Sequence, residues 1–397
     1  MRVLMMTIFD YPHTGGLSTH MQTLSAGLEH YGHQVDILSF SDLPPYTRKG
    51  LVQGPSFIMN KVKHGRGFVW SQFQRKALLG KRLYGHIKNA RYDLIHAHDV
   101  FAALAAAEHG RLTVLTAHGY MTREAVSKGA IQPQTAEEAR LLSAEIRAYR
   151  SAPQVVTVDE RIKRYIKETA GVDAVAIKNF IDLEVFHPDK RRRDEIRDEL
   201  GLPREAALLF VPRRLTKKNG VIYPVIALPE ILKKYPNALL LYAGDGEERP
   251  AIERIIEARA LQRHVRLLGA VSHDRMQKYY VASDIVLIPS VHSEGVEEAT
   301  SIAALEAMAS GTPVIAGNVG GLKEIIADGS DGVLVPQKQP QALAGAVIEL
   351  LDRPDFRARL AEQARAKMER EHSHLAAARR YIELYRETLE KKPPVME

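Results

Sequence analysis

Short runs of β-branched and apolar residues alternate with helical stretches along the whole 397-residue chain. Strands separated by helices predict parallel sheets that are covered by helices on both faces. A chain of this length is too long to fold around a single hydrophobic core, so we expect two doubly wound α/β domains. The sequence predicts six strands in each half of the chain, near residues 2–8, 34–39, 93–97, 112–117, 154–158, 174–178, 207–212, 238–243, 264–268, 284–288, 312–316 and 331–335.

The break between the domains is expected at Pro188–Arg193, a polar, charged stretch without a strand pattern. We therefore predict an N-terminal domain over residues 1–187 and a C-terminal domain over residues 188–372. Residues 373–397 contain a helical apolar stripe, which we expect to pack back on the N-terminal domain. Doubly wound sheets bind ligands beyond the carboxyl ends of their strands, so two facing domains would place a site in the cleft between them.

The amino-acid composition excludes several kinds of functional site and indicates where the protein is located. The chain has no cysteine, which excludes disulfides, thiolate catalysis and cysteine-ligated metals. The first residues lack the apolar core and cleavage site of a signal peptide, and no segment approaches the roughly 20 apolar residues of a membrane-spanning helix. We therefore expect a cytoplasmic protein, with the inner face of the membrane as an alternative location.

Positive charge is unevenly placed in this chain of net charge +7. Residues 48–91 hold eleven Lys or Arg and no Asp or Glu, with Phe57, Phe68, Trp70 and Phe73 interleaved. Such a segment fits an anionic membrane surface or an anionic acceptor, although a solvated helix face is the alternative. Nucleic acid is not expected as a partner, because no recognised binding motif accompanies the charge.

Two glutamates, Glu298 and Glu306, stand eight residues apart in the segment EGVEEATSIAALEAMASGTPVIAG. Residues 301–310 are rich in helix formers, and the following Gly-Thr-Pro ends them. Glu298 is therefore expected in the loop that enters a helix, where unpaired N–H groups favour an anion. Glu306 would lie inside the apolar helix, where a carboxylate needs hydrogen-bond donors. Sugar hydroxyls are one source of donors, and a structural Glu bonded to neighbouring backbone is the alternative.

Together these features resemble glycosyltransferase family 4, whose members have the GT-B fold of two Rossmann-like domains facing across a cleft. The hallmark of that family is a Glu, seven residues and a second Glu, followed by Ala-Met and a Gly-Thr-Pro strand entry. Here it reads Glu298-ATSIAAL-Glu306-AMASGTPVIAG. Its other motifs appear in the same order, at Gly15-Gly16, Asp93–His98, Thr116–Gly119, Asn179, Phe186–Pro188, Arg213–Leu215, Gly244–Gly246 and Gly320–Glu324.

The resemblance implies transfer of a sugar from a nucleotide-sugar donor to an acceptor, with retention of the anomeric configuration and no metal requirement. The donor is expected to be a UDP-sugar, with GDP- and ADP-sugars as alternatives. The acceptor would be a glycan or a small molecule, for example a cell-envelope or lipid-linked glycan precursor. Alternatives are a GT-B epimerase and a non-catalytic GT-B protein that binds nucleotide sugar. A phosphorylase would need a Schiff-base lysine, for which we find no motif. We expect a monomer or a homodimer.

Four charged residues carry the expected donor chemistry. The resemblance places Arg213 and Lys218 against the donor's diphosphate, Glu298 on the transferred sugar and Glu306 on the ribose. Fixed cations in a dry site would stabilise the departing diphosphate without a metal. Alignment on Arg214 instead puts Asn219 at the lysine position, so Arg214 remains a candidate for donor binding.

The segment between the two glutamates adds three donor-binding candidates. The backbone N–H groups of Thr300 and Ser301, at the expected helix start, would contribute to the diphosphate site. Ala299 stands where the family usually has Gly, and its methyl group would narrow the sugar subsite.

The first domain contributes two glycines and two histidines. Gly15 and Gly16 would let the backbone approach a phosphate or sugar, or form an ordinary strand-to-helix turn. Their loop is not G-x-G-x-x-G, which argues against a nicotinamide or flavin site. The resemblance implies a catalytic role for His118, which would contact the donor sugar or act at the reaction centre, and a structural strand-end histidine is the alternative. His98 is expected on the acceptor side, and no metal site is expected there because the sequence shows no third ligand.

Overall fold

The computed structural model describes residues 1–13, 15–292 and 301–391. The chain divides into two compact units. The N-terminal unit comprises Met1–Asn179 and the segment from His374 onward, and the C-terminal unit comprises Phe180–Ser373. The N-terminal unit ends at Asn179, whereas the sequence predicted an end at residue 187. The boundary is earlier because Ile181 N donates to the carbonyl of His372 (2.9 Å) within the C-terminal unit. Phe186 is likewise buried in the core of that unit.

The N-terminal unit contains a six-stranded parallel sheet with the strand order β2-β1-β3-β4-β5-β6. The chain-order reversal therefore lies between β1 and β3, where a doubly wound sheet opens a crevice at its carboxyl edge. All six strands lie where the sequence predicted them, and their bounds are β1 Arg2–Met6, β2 Gln34–Leu38, β3 Leu94–Ala97, β4 Thr113–Ala117, β5 Gln154–Thr157 and β6 Val175–Ala176.

Helices cover this sheet. The bounds are α1 Gly16–His30, α2 Pro45–Arg48, α3 Gly54–Val62, α4 Arg66–Asn89, α5 Val100–Glu108, α6 Met121–Ser127, α7 Ala136–Ser151 and α8 Glu160–Ala170. A buried Asp99 caps α5 by accepting from the N–H groups of Phe101 (3.0 Å) and Ala102 (2.8 Å). Its second oxygen accepts from Thr7 Oγ1 (2.9 Å), just after β1. This carboxylate therefore ties the carboxyl ends of β1 and β3 together.

The C-terminal unit contains the second six-stranded parallel sheet, with the order β12-β11-β10-β7-β8-β9. Its chain-order reversal lies between β7 and β10. These six strands also match the sequence prediction, so the α/β class with two doubly wound parallel sheets is confirmed. Their bounds are β7 Leu208–Val211, β8 Leu239–Tyr242, β9 Val265–Leu267, β10 Ile285–Ile288, β11 Val314–Gly317 and β12 Val333–Val335.

The helices of the C-terminal unit are α9 Arg193–Glu199, α10 Ile222–Lys234, α11 Arg249–Ala258, α12 His273–Ala282, α13 Ile302–Ala309, α14 Leu322–Ile325, α15 Pro340–Asp352 and α16 Pro354–Glu371. The last helix, α17 His374–Glu390, belongs to the N-terminal unit. It approaches α1 closely at Gly27, where an added Cβ would lie 2.7 Å from the Cβ of Ala378. Gly27 is therefore what allows these two helices to pack together.

Candidate functional site

Polar side chains collect at the chain-order reversal of the C-terminal sheet. Arg213 follows β7, Ser290 follows β10, and both are buried. The two strands are adjacent, and the carboxyl ends of parallel strands share one edge of the sheet. This edge is where doubly wound folds bind ligands.

Arg213 is held by three neutral oxygens. Its Nη1 donates to Ser301 Oγ (2.6 Å), and its Nη2 donates to Asn219 Oδ1 (2.6 Å) and to Ser290 Oγ (3.3 Å). A guanidinium stays charged at physiological pH. None of these three oxygens carries a negative charge, and together they fix the position of the guanidinium.

Ser301, which the sequence named as a donor-binding candidate, lies at the start of α13 and is 1% exposed. Its Oγ accepts from the backbone N–H of Ala304 (3.4 Å), so it caps the helix while also accepting from Arg213. The positive end of the α13 dipole and the guanidinium therefore lie together, and both favour an anion.

The other two basic candidates lie in the adjoining turn. The carbonyl of Lys218 accepts from Val291 N (2.9 Å), which anchors Lys218 beside the end of β10, and its side chain is half-buried. Arg214 is exposed, and its carbonyl accepts from Asn219 Nδ2 (2.7 Å). Asn219 thus contacts both arginines, a positioning role that the sequence did not reveal. The roles of Arg213, Arg214 and Lys218 toward a donor stay predictions.

Glu306 lies on α13 and is 5% exposed. The hydroxyl of Tyr280 donates to its Oε2 (2.6 Å), and His273 Nδ1 lies 3.6 Å from its Oε1. Burial raises the pKa of the Glu306 carboxyl to about 7, against the opposing effect of the Tyr280 hydrogen bond. Further donors would favour its ionised form, so this carboxyl is suited to receive ligand hydroxyls. Three other candidates, Glu298, Ala299 and Thr300, lie outside the described residues.

In the N-terminal unit, Gly15 precedes α1 and Gly16 begins it. The carbonyl of Gly15 accepts from the N–H of Thr19 (3.1 Å), so the glycine pair forms the predicted strand-to-helix turn. Whether this turn contacts a donor stays a prediction.

Three histidines of the N-terminal unit meet at the carboxyl edge of its sheet. His98 follows β3 and His118 follows β4, and Nδ1 of His98 lies 3.2 Å from Nε2 of His118. The third is His20 of α1, whose ring centroid lies 4.6 Å from that of His118. His20 was not among the site residues predicted from the sequence. One signal was available, because His20 shares a helix face with Leu24 and Gly27, which are buried against the rest of the unit.

Burial keeps these imidazoles neutral. It lowers the pKa of His20 to about 4 and those of His98 and His118 well below the usual histidine value. His96 is also buried, and both of its nitrogens are engaged: Nε2 lies 2.7 Å from Thr116 Oγ1, and Nδ1 lies 2.7 Å from the hydroxyl of Tyr385 on α17. His96 is therefore structural, while His20, His98 and His118 form the polar cluster of this edge.

Two family models match nearly the full length of the chain. The model described as Glycosyltransferase Family 4 matches residues 14–185, and the model described as Glycosyl transferases group 1 matches residues 192–367. The chain belongs to glycosyltransferase family 4. It is therefore a glycosyltransferase, as the resemblance implied.

One curated relative and two solved structures are similar to the chain over nearly its whole length. An uncharacterized glycosyltransferase of Methanocaldococcus jannaschii is 28% identical over 400 residues, covering 98% of this chain and 99% of that protein. Sucrose-phosphate synthase from Thermosynechococcus elongatus has a TM-score of 0.75 at 20% identity, covering 98% of this chain and 100% of that one. The Anabaena protein HepE, in complex with UDP-glucose, has a TM-score of 0.71 at 18% identity with the same coverage. The solved structures confirm the GT-B fold.

The basic segment of this family 4 member, residues 48–91, contains all of α3 and α4. Of its four interleaved aromatics, Phe57 is 62% exposed, whereas Phe68, Trp70 and Phe73 are partly buried. On α3, Ile58 (64%) and Val62 (77%) are exposed as well. Among the described helices, none combines the length and the apolar content needed to cross a bilayer.

Proposed function

We propose that this glycosyltransferase moves a sugar from a nucleotide sugar to a glycan or small-molecule acceptor, with retention of the anomeric configuration and without a required metal. The observation that carries the proposal is the buried, positively charged Arg213 at the chain-order reversal of the C-terminal sheet. An anionic diphosphate is the part of a nucleotide sugar that such a fixed cation would bind.

The proposed chemistry follows from that charge. As the bond to the sugar breaks, negative charge grows on the departing diphosphate. A cation that is already in position stabilises this charge without reorganisation, and it does so most strongly where water is excluded. Arg213 supplies the fixed charge, and the start of α13 adds its unpaired N–H groups. We assign Lys218 and Arg214 to the same diphosphate, and Thr300 to the helix start.

The sugar and the ribose are assigned to carboxylates. We propose that Glu306 accepts from the ribose hydroxyls, because it is buried and Tyr280 is the one hydrogen-bond donor that it contacts at short range in the described structure. Glu298 is proposed to bind the transferred sugar, and Ala299 to limit the size of that sugar. In the N-terminal unit, Gly15, Gly16 and His118 are assigned to the donor and His98 to the acceptor.

A UDP-sugar is the proposed donor, supported by the UDP-glucose complex of Anabaena HepE. Thermal shift measurements with UDP, GDP, ADP and their sugars test this choice, because a bound ligand stabilises the folded protein by mass action. We expect the uridine compounds to raise the melting temperature most. No shift with any nucleotide sugar would refute donor binding.

The role of Arg213 is tested by calorimetry with the stabilising nucleotide sugar. Arg213→Lys keeps the charge but loses the planar fork of donors, so we expect affinity to fall about 10- to 100-fold. The matched control is Arg263→Lys on the exposed surface of the same unit, which should bind like the wild type. Equal affinity of the wild type and Arg213→Lys would contradict the assignment. Release of free nucleotide in the presence of an acceptor panel then tests transfer itself. If no nucleotide is released with any acceptor, the non-catalytic alternative is favoured.

We also propose that α3 places the protein on an anionic membrane surface, which would bring it to a lipid-linked acceptor such as a cell-envelope glycan precursor. Phe57, Ile58 and Val62 provide exposed apolar surface within a segment of eleven basic and no acidic residues. Ser substitution of these three residues should reduce sedimentation with phosphatidylglycerol vesicles. Tyr84→Ser, at an exposed aromatic on α4, is the control. Equal sedimentation of both variants and the wild type would exclude α3 as the contact.

A further inference from the structure

We infer that His20, His98 and His118 form a binding site for a zinc ion in the N-terminal unit. One ring nitrogen from each residue can be chosen so that all three lie within 4.8 Å of one another. The sequence offered no third ligand beside His98, and the fold supplies two, one from α1 and one from the end of β4. Three imidazoles and one remaining coordination position are a ligand set that zinc commonly takes.

The spacing of the nitrogens is close to that of a tetrahedral zinc site. Zinc–nitrogen bonds of about 2.0–2.1 Å place ligand nitrogens about 3.3 Å apart. His98 Nδ1 and His118 Nε2, at 3.2 Å, already have this separation. The widest pair must close by about 1.5 Å at most. Ring rotation of His118, the least buried of the three, provides part of that movement.

A neighbouring side chain orients one ligand. Nδ1 of His20 lies 3.0 Å from Asn179 Oδ1, and an amide oxygen can only accept. The proton of neutral His20 is therefore on Nδ1, and the lone pair for a metal is on Nε2. Histidines that bind metals usually donate their other nitrogen in this way, which fixes the tautomer and the ring orientation.

One of the two ring nitrogens of His98 lacks a hydrogen bond within the described part of the chain. This nitrogen, Nε2, is buried. His98 can therefore change its tautomer or turn its ring without breaking a second hydrogen bond. His96 differs, since both of its nitrogens are engaged, and its ring packs against that of His98 at a centroid distance of 4.1 Å with a tilt of 37°. This packing places His96 beside the ligands and leaves three imidazoles for the ion.

Zinc at this site would affect transfer, and this consequence rests on the proposed function. His118 would give its lone pair to the metal and lose it for the proposed contact with the donor sugar. Zinc is therefore expected to inhibit transfer, and removal of zinc with a chelator should restore it. Binding of the ion itself requires neither nucleotide nor acceptor.

The test uses the full chain without a histidine tag, freed of metal with a chelator, and no substrate. Equilibrium dialysis at micromolar Zn²⁺ should give one ion per chain, and Co²⁺ should give the intense visible absorption of tetrahedral coordination. His118→Ala, at the most accessible ligand, should weaken Zn²⁺ binding more than about 100-fold, since loss of an outer-shell partner alone costs 10- to 100-fold. Asn179→Ala should fall within that smaller range.

The control is His30→Ala, at an exposed histidine on the same helix as His20, which should bind like the wild type. Circular dichroism and melting temperature in chelator establish that each variant is folded. Absence of stoichiometric Zn²⁺ binding by the wild type would overturn the inference, as would undiminished binding by folded His118→Ala. Because no nucleotide sugar is present, either result leaves the proposed transfer to be judged by its own experiments.

Discussion

Glu306 gives the sharpest prediction for the C-terminal unit, because its burial has a measurable cost. The pKa of its carboxyl rises from the ordinary value of 4.5 to about 7 in the folded protein. The unfolded chain therefore releases this proton at lower pH than the folded one does. Protonated Glu306 therefore favours the folded protein. This contribution to the free energy of unfolding is fully present below about pH 4.5 and is lost as the pH rises to about 7. At 1.36 kcal/mol for each tenfold change in the acid constant, the loss is about 3 kcal/mol.

Glu306→Gln removes this titration while keeping a side-chain oxygen that can accept from Tyr280. We expect the free energy of unfolding of the variant to increase relative to that of the wild type as the pH rises. Between pH 5 and pH 8 the difference in their free energies of unfolding should change by more than about 2 kcal/mol in favour of Gln. Nδ1 of His273 lies 3.6 Å from the carboxyl, and imidazoles commonly titrate within this pH range, so the measurement is repeated in a His273→Gln background.

Urea unfolding at half-unit pH steps supplies the measurement, with the transition of the C-terminal unit followed in both proteins. Other groups titrate equally in the two chains, so their contributions cancel in the difference. Glu362→Gln, an exposed Glu on α16, should stay within about 0.5 kcal/mol of the wild type at every pH. Parallel curves for wild type and Glu306→Gln would refute the argument that burial dominates this carboxyl.

Two further predictions concern the N-terminal unit. Gly27→Val should lower stability by about 1–3 kcal/mol, because its Cβ would lie 2.7 Å from the Cβ of Ala378, and thermal unfolding measures this. A loss no larger than that of Gly85→Val on α4, where no atom lies within 4 Å of an added Cβ, would show that α1 and α17 can separate at little cost. Tyr385→Phe should cost about 1–3 kcal/mol, because it leaves buried His96 Nδ1 without its partner at 2.7 Å, and an unchanged urea midpoint would contradict this.

The sheets could be predicted from the sequence because their signal is local. Each strand is a short apolar run bounded by helical segments, and all twelve were found. The domain boundary depended on a distant contact instead. Ile181 pairs with Ser373 and donates to the carbonyl of His372, so the residues after Asn179 join the C-terminal unit although nothing in their composition indicates it.

The candidate sites show the same division between local and distant information. Arg213, Ser301 and Glu306 could be named from motifs, but their partners could not: Ser290 meets Arg213 through the pairing of β7 with β10, and Asn219 meets it through the turn that follows β7. In the basic segment, the sequence showed the positive charge, but it did not show which aromatic side chains are exposed. Phe57 faces solvent and Phe73 packs on the core, since the helix face of each residue is decided by its neighbours.

The same topological rule produces a charged polar edge in one unit and a polar edge of neutral imidazoles in the other. Each sheet reverses its strand order once and collects polar side chains near that reversal, at its carboxyl edge. In the C-terminal unit the edge holds a buried guanidinium beside a helix start, which favours an anion. In the N-terminal unit it holds neutral imidazoles, because burial lowers the pKa of His98 and His118. Neutral imidazoles offer lone pairs to hydroxyls or metal ions rather than charge to phosphates. We therefore propose phosphate binding for the C-terminal edge only, whereas hydroxyl binding is proposed for the imidazoles of the N-terminal edge as well as for the carboxylates of the C-terminal unit.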